Sequence, residues 1–114
     1  MRGSAVFVHM AVLTPNQGQE DALLGSMRAM GEPADRHPGL RQHLICRDRG
    51  TGRFVGITVW DREEDWAEAI AAGREAQAAG GFDMDSILNE GDGFRLDVID
   101  AVDHPGDVEF HGSL

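Results

Sequence analysis

The sequence has no tyrosine, one cysteine and two tryptophans in 114 residues. Without tyrosine, no tyrosine-dependent mechanism is open to it. With Cys46 alone, no intramolecular disulfide can form, which fits a reducing, cytoplasmic setting. No apolar run approaches the roughly 20 residues of a membrane-spanning helix, and the N-terminus has no signal-peptide core. Basic residues are scarce: 10 Lys and Arg stand against 20 Asp and Glu, a formal charge of -10. Nucleic acid and anionic membranes are therefore not expected partners, since both need a basic patch. There is no solenoid-period repeat, no low-complexity block and no Ser/His/Asp arrangement. The glycines at 50–52 and 91–93 lack the strand-to-helix context of a phosphate loop.

What is present is organised around residues 53–69, a buried strand running straight into an amphipathic helix. Phe54, Val55, Ile57, Thr58, Val59 and Trp60 are β-branched or aromatic. Asp61 stands where an N-cap belongs, with Glu64 at capping-box spacing, and the helix is expected to reach about Ala79. Upstream, Ala5 to Leu13 reads as a first strand, with Val6, Val8, Met10 and Val12 on one face and Phe7, His9, Ala11 and Leu13 on the other. A helix from about Gln17 to Arg36 follows, capped by Thr14 or Asn16, with Leu23, Met27, Met30 and Ala34 as its stripe and Pro33 ending or kinking it. Leu40 to Asp48 reads as a second strand, with Leu40, Leu44 and Cys46 on one face and His43, Ile45 and Arg47 on the other. Cys46 is expected to be a small buried apolar residue. Phe82 to Asn89 is a short helix or a loop. Gly91–Gly93 turns into a last strand, Phe94 to Val102.

This order is the βαββαβ unit of a ferredoxin-like α+β fold: a four-stranded antiparallel sheet over residues 1–103, followed by a C-terminal tail, 104–114. Two helices on one face leave the other face bare, and a bare apolar sheet needs a cover. A second copy supplies it, so two sheets are expected to pack face to face in a homodimer.

Leu13-Thr14-Pro15 with Gly18 soon after, His37-Pro38-Gly39-Leu40 and above all Thr58-Val59-Trp60-Asp61 carry a resemblance. The chain resembles the antibiotic biosynthesis monooxygenase family of dimeric α+β barrels, over roughly Ala5 to Val102. That resemblance implies a cofactor-independent oxygenase acting on a small aromatic or polyketide-type phenol. It also leaves open a cyclase or isomerase, or a non-catalytic ligand-binding dimer, because fold does not fix function. The haem-degrading branch places its functional positions on Ala69 and Ala79, which offer no axial imidazole, so no haem and no other cofactor is expected. The quinone-forming branch has an Asn and an aromatic hydroxyl where this chain has Gly56 and Trp66.

An oxygenase of this kind needs a base, a donor for the developing oxyanion and a dry pocket. His9 is the first candidate base, with His43 and Arg47 as partners on the second strand. Phe7, Trp60 and Trp66 are candidates for an aromatic pocket wall, and Arg95 for a further donor. Each has a plainer reading: His9 as a hydrogen-bonded core or interface residue, Trp60 as a packing anchor, the arginines as ion-paired surface. His104, Asp107, Glu109 and His111 are metal-ligand types on an unpatterned tail, and no metal site is expected there.

Overall fold

A computed structural model describes residues 6–101. The elements are β1 (Phe7–Pro15), α1 (Glu20–Asp35), β2 (Leu40–Arg47), β3 (Phe54–Trp60), α2 (Glu63–Ala79), α3 (Met84–Ile87) and β4 (Leu88–Asp97). The strands form one sheet in the order β2-β3-β1-β4, every pair antiparallel. This is the ferredoxin-like arrangement expected from the element order. No helix among the described residues is long and apolar enough to cross a membrane. The tail and its four metal-ligand side chains lie outside the described residues.

Strand alternation sends one set of side chains towards the helices. Phe7 and Trp60 join Ala34 and Ala69 in one buried cluster, and Phe54 joins Leu23, Met27 and Ile87 in another. The helices cross closely because Gly73 of α2 sits on α1, where a Cβ would meet the Met30 carbonyl and lie 2.6 Å from its Sδ. The opposite face carries Val8, Met10, Val12, Val55, Ile57 and Val59, with Leu44 on one side and Phe94 and Leu96 on the other. Phe94 and Leu96 are 41% and 42% exposed. No element among the described residues covers this apolar face.

Several local expectations give way to longer-range partners. Asp61 does not cap α2: its carboxylate bonds Arg41 Nε at 2.6 Å, its N–H donates to the Gly39 carbonyl at 2.9 Å, and Arg62 takes the N-cap position. Asn16 does not cap α1: its Nδ2 donates to the Ser86 carbonyl at 2.7 Å and its N–H to the Ile87 carbonyl at 2.8 Å, tying α3 to the end of β1. Pro15 ends β1 at a register shift. Pro33 neither ends nor precedes the end of regular structure by much: α1 runs two residues past it and closes with the His37 N–H on the Ala34 carbonyl at 3.0 Å.

Two corrections concern strands. Gly91-Asp92-Gly93 is no turn but the middle of β4, paired with Leu13, Val12 and Ala11. At Gly91 a side chain would press on Leu13 and Leu88, so the pairing itself asks for glycine. In β2, the register slips between Leu40 and Gln42, putting Leu40 against the Phe7 and Trp60 cluster. Cys46 is exposed rather than buried.

Candidate functional site

Between the sheet and the two long helices lies a cavity of about 330 Å³. Its floor is a polar row running across the sheet. His43 of β2 pairs with Thr58 of β3, Thr58 pairs with His9 of β1, and His9 pairs with Arg95 of β4. His43, Thr58 and His9 all line the cavity. Gly56 and Ala11 keep the next row low, and Met27, Met30, Ile70 and Met84 form an apolar roof and end. Trp60 and Trp66 complete the wall.

His9 stacks on Trp66, with ring centroids 4.8 Å apart and planes 26° from parallel. Burial lowers its pKa below the ordinary 6.5, and the nearby Arg95 guanidinium pushes in the same direction. The imidazole is therefore neutral at pH 7, with a free lone pair. Its ring makes no hydrogen bond among the described residues. Beside it, Gly93 leaves room for the ring: a Cβ there would lie 3.4 Å from His9 Nε2.

The indole N–H groups of Trp60 and Trp66 are both buried without a hydrogen-bond partner among the described residues. A buried donor left unpaired costs about 1–3 kcal/mol. Two such donors on residues lining one cavity suit a ligand that brings oxygen acceptors. With two imidazoles on the floor and mostly apolar walls, the site can take a flat, oxygen-bearing molecule and move its protons.

Not every expected residue is brought here. Arg47 shares the strand face of His43 but lies four residues along, about 13 Å away by strand rise. Its guanidinium covers the Phe54 ring at 5.3 Å, so it is not a partner of His9. Phe7 is buried core beneath Trp66, ring centroids 5.4 Å apart, and does not line the cavity. Arg95 stands at the exposed edge, 3.3 Å from the Glu63 carboxylate. Thr58, Ser26 and Gln77 line the cavity and were not among the site residues expected from the sequence. Thr58 sits between two candidate histidines, a placement that only strand register reveals.

A second cluster lies at the β3–α2 corner. One ligand atom each from His37, Asp65 and Glu68 falls within 4.8 Å of the others. His37 Nδ1 accepts the Gly39 N–H at 2.9 Å, which places the ring proton on Nε2, where it meets the Glu68 carboxylate at 3.0 Å. A metal there would have to displace that proton, while Asp65 is already held by Arg62 at 3.0 Å. The cluster is a structural clasp that sets His37 edge-on against Trp60.

No family model and no curated protein matches the sequence. Solved structures do match. The PA3566 protein of Pseudomonas aeruginosa is 19% identical with a TM-score of 0.72, covering 88% of this chain and 100% of its own. SnoaB of Streptomyces nogalater, described as a cofactor-independent oxygenase and solved as a mutant, is 15% identical with a TM-score of 0.68, covering 90% and 100%. A Nitrosomonas europaea protein provisionally named an antibiotic biosynthesis monooxygenase is 16% identical with a TM-score of 0.66, covering 87% and 94%. The chain thus resembles antibiotic biosynthesis monooxygenases in fold along nearly its whole described length.

Proposed function

We propose that this chain is a cofactor-independent monooxygenase of the antibiotic biosynthesis monooxygenase type, acting on a small aromatic or polyketide-type phenol. The observation that carries the reading is the neutral, desolvated His9 on the floor of a largely apolar cavity with two indole donors, unpartnered among the described residues, in its wall. The likeness to a cofactor-independent oxygenase supports it.

In this reading His9 removes a proton from a hydroxyanthracene-type phenol whose keto tautomer carries an activated ring CH2. The electron pair stays on the substrate, whose oxyanion is met by indole N–H groups and Thr58. The electron-rich ring adds O2 at carbon, giving a peroxide. Loss of the remaining C–H proton with cleavage of the O–O bond yields a ring carbonyl and water. One CH2 and one O2 thus become one C=O and one H2O. The cavity keeps bulk water from quenching the carbanion.

The active form is a homodimer, its two uncovered sheet faces packed on each other, and it works in the cytoplasm, where the exposed Cys46 stays reduced. Gly56, where the resemblance implies a polar residue, favours a second reading, a cyclase or isomerase using the same base without oxygen. Oxygen uptake by metal-free protein with a dihydroxyanthracene separates the two. Uptake supports the oxygenase. Bound but unoxidised ligand supports the rival.

A further inference from the structure

We propose that Asp35 is a positioning residue that holds His43 as the second acid–base group of the cavity, opposite His9. Asp35 Oδ1 lies 2.8 Å from His43 Nδ1. His43 lines the cavity and is only 18% exposed at its side chain, while Asp35 stands outside at 56%. The carboxylate can only accept, so it fixes the imidazole proton on Nδ1 and leaves the Nε2 lone pair for a ligand. On its other flank the ring lies against α1 at Gly31, where a Cβ would come 2.5 Å from Cε1. The ring is therefore clamped on two sides, by a hydrogen bond and by a bare backbone.

Helix energetics give no reason for an acid at this place. Asp35 is the last residue of α1, where the negative end of the helix dipole disfavours it, and the last turn holds no basic residue within the helix. Arg36, next along, pairs with Glu32 instead. What Asp35 does have is the imidazole.

His9 and His43 are separated by β3, about 10 Å at two strand spacings. A fused-ring ligand lying over Thr58 and Gly56 reaches both. His43 Nε2 then takes a ligand hydroxyl proton: the O–H bond breaks, the N–H bond forms and the electron pair stays on oxygen. The charge the ring acquires lies beside the Asp35 carboxylate. After the O–O bond of the peroxide breaks, His43 Nε2 returns that proton to the ligand oxygen, so both hydrogens of the departing water come from the ring CH2. This role rests on the oxygenase reading of the cavity.

The test compares wild type with Asp35→Asn and Asp35→Glu. Asp35 is exposed, so both variants keep the fold. Long-range 1H–15N correlation spectra of the imidazoles report the tautomer without any substrate. Wild type is expected to show His43 protonated on Nδ1. In Asp35→Asn the amide can donate to Nδ1, moving the proton to Nε2, and Asp35→Glu restores the wild-type pattern. With a dihydroxyanthracene as probe, kcat for oxygen uptake falls about tenfold or more in Asp35→Asn, KM stays within about twofold, and Asp35→Glu recovers most of the rate. An unchanged tautomer, or equal kcat in wild type and Asp35→Asn, overturns the proposal. Absence of uptake by wild type overturns the oxygenase reading instead, while the tautomer shift still decides whether Asp35 positions His43.

Discussion

Gly31→Ala places a single methyl group between α1 and the floor of the cavity. The added carbon would stand 2.5 Å from His43 Cε1 and 3.3–3.4 Å from both ring nitrogens. Carbon atoms settle at about 3.5–4.0 Å, so the ring must withdraw by roughly 1 Å. The Nδ1 to Asp35 distance of 2.8 Å then passes the limit of about 3.2 Å for such a bond. Stability should fall only part of the way to unfolding. Alanine in a helix interior gains about 1 kcal/mol over glycine, overpacking costs about 1–3 kcal/mol, and an exposed ion pair loses at most about 1 kcal/mol. The net loss is about 0–3 kcal/mol, which leaves a folded protein. Catalysis should suffer more, because a 1 Å misplacement is worth up to about a hundredfold. Thermal unfolding and oxygen uptake on the same sample separate the two effects. Wild-type kcat in Gly31→Ala, with the Nδ1–H tautomer of His43 intact, would refute the reasoning.

Three other outcomes follow from the same geometry. Gly73→Ala should destabilise by about 1–3 kcal/mol, despite the better helix former, since the methyl strikes the Met30 backbone rather than a movable side chain; urea unfolding measures it. Ile57→Lys puts a charge in the centre of the uncovered sheet face and, by symmetry, puts two into the proposed dimer, so sedimentation of wild type as a dimer and of the variant as a monomer, with the circular dichroism unchanged, is the expected outcome. For pH, the folded His9 titrates below its unfolded value of 6.5. Between those values the unfolded chain binds more protons, so stability rises with pH across that window and is lost as pH falls through it. The urea midpoint of wild type should therefore drop on acidification below 6.5 more than that of His9→Gln.

The strand and helix order was readable because each element carries its own local signal: β-branched and aromatic residues in β1 and β3, apolar residues three to four apart in α1. The faces followed as well, since Phe7, His9 and Leu13 do point towards the helices. What alternation cannot give is register. It put Arg47 and His43 on one face and said nothing of the three residues between them, and it could not see Thr58 falling between two histidines. Capping motifs misled where a distant partner outbid the local one, as Arg41 did for Asp61 and Ser86 for Asn16. The glycines of β4 looked like a turn because their reason for being small, the Leu13 and His9 side chains across the strand, lies some 80 residues away in sequence. Asp35 reads on its own as a poor last residue of a helix, and only the fold shows the imidazole beside it.

The most direct measurement is oxygen consumption with a dihydroxyanthracene, no cofactor added, comparing wild type and His9→Ala while following ligand quenching of tryptophan fluorescence. Uptake by wild type that falls by about 10²–10⁴-fold in His9→Ala, with quenching retained, is the expected result. Equal uptake in the two proteins, or quenching without any uptake by wild type, would contradict His9 as the base of an oxygenase.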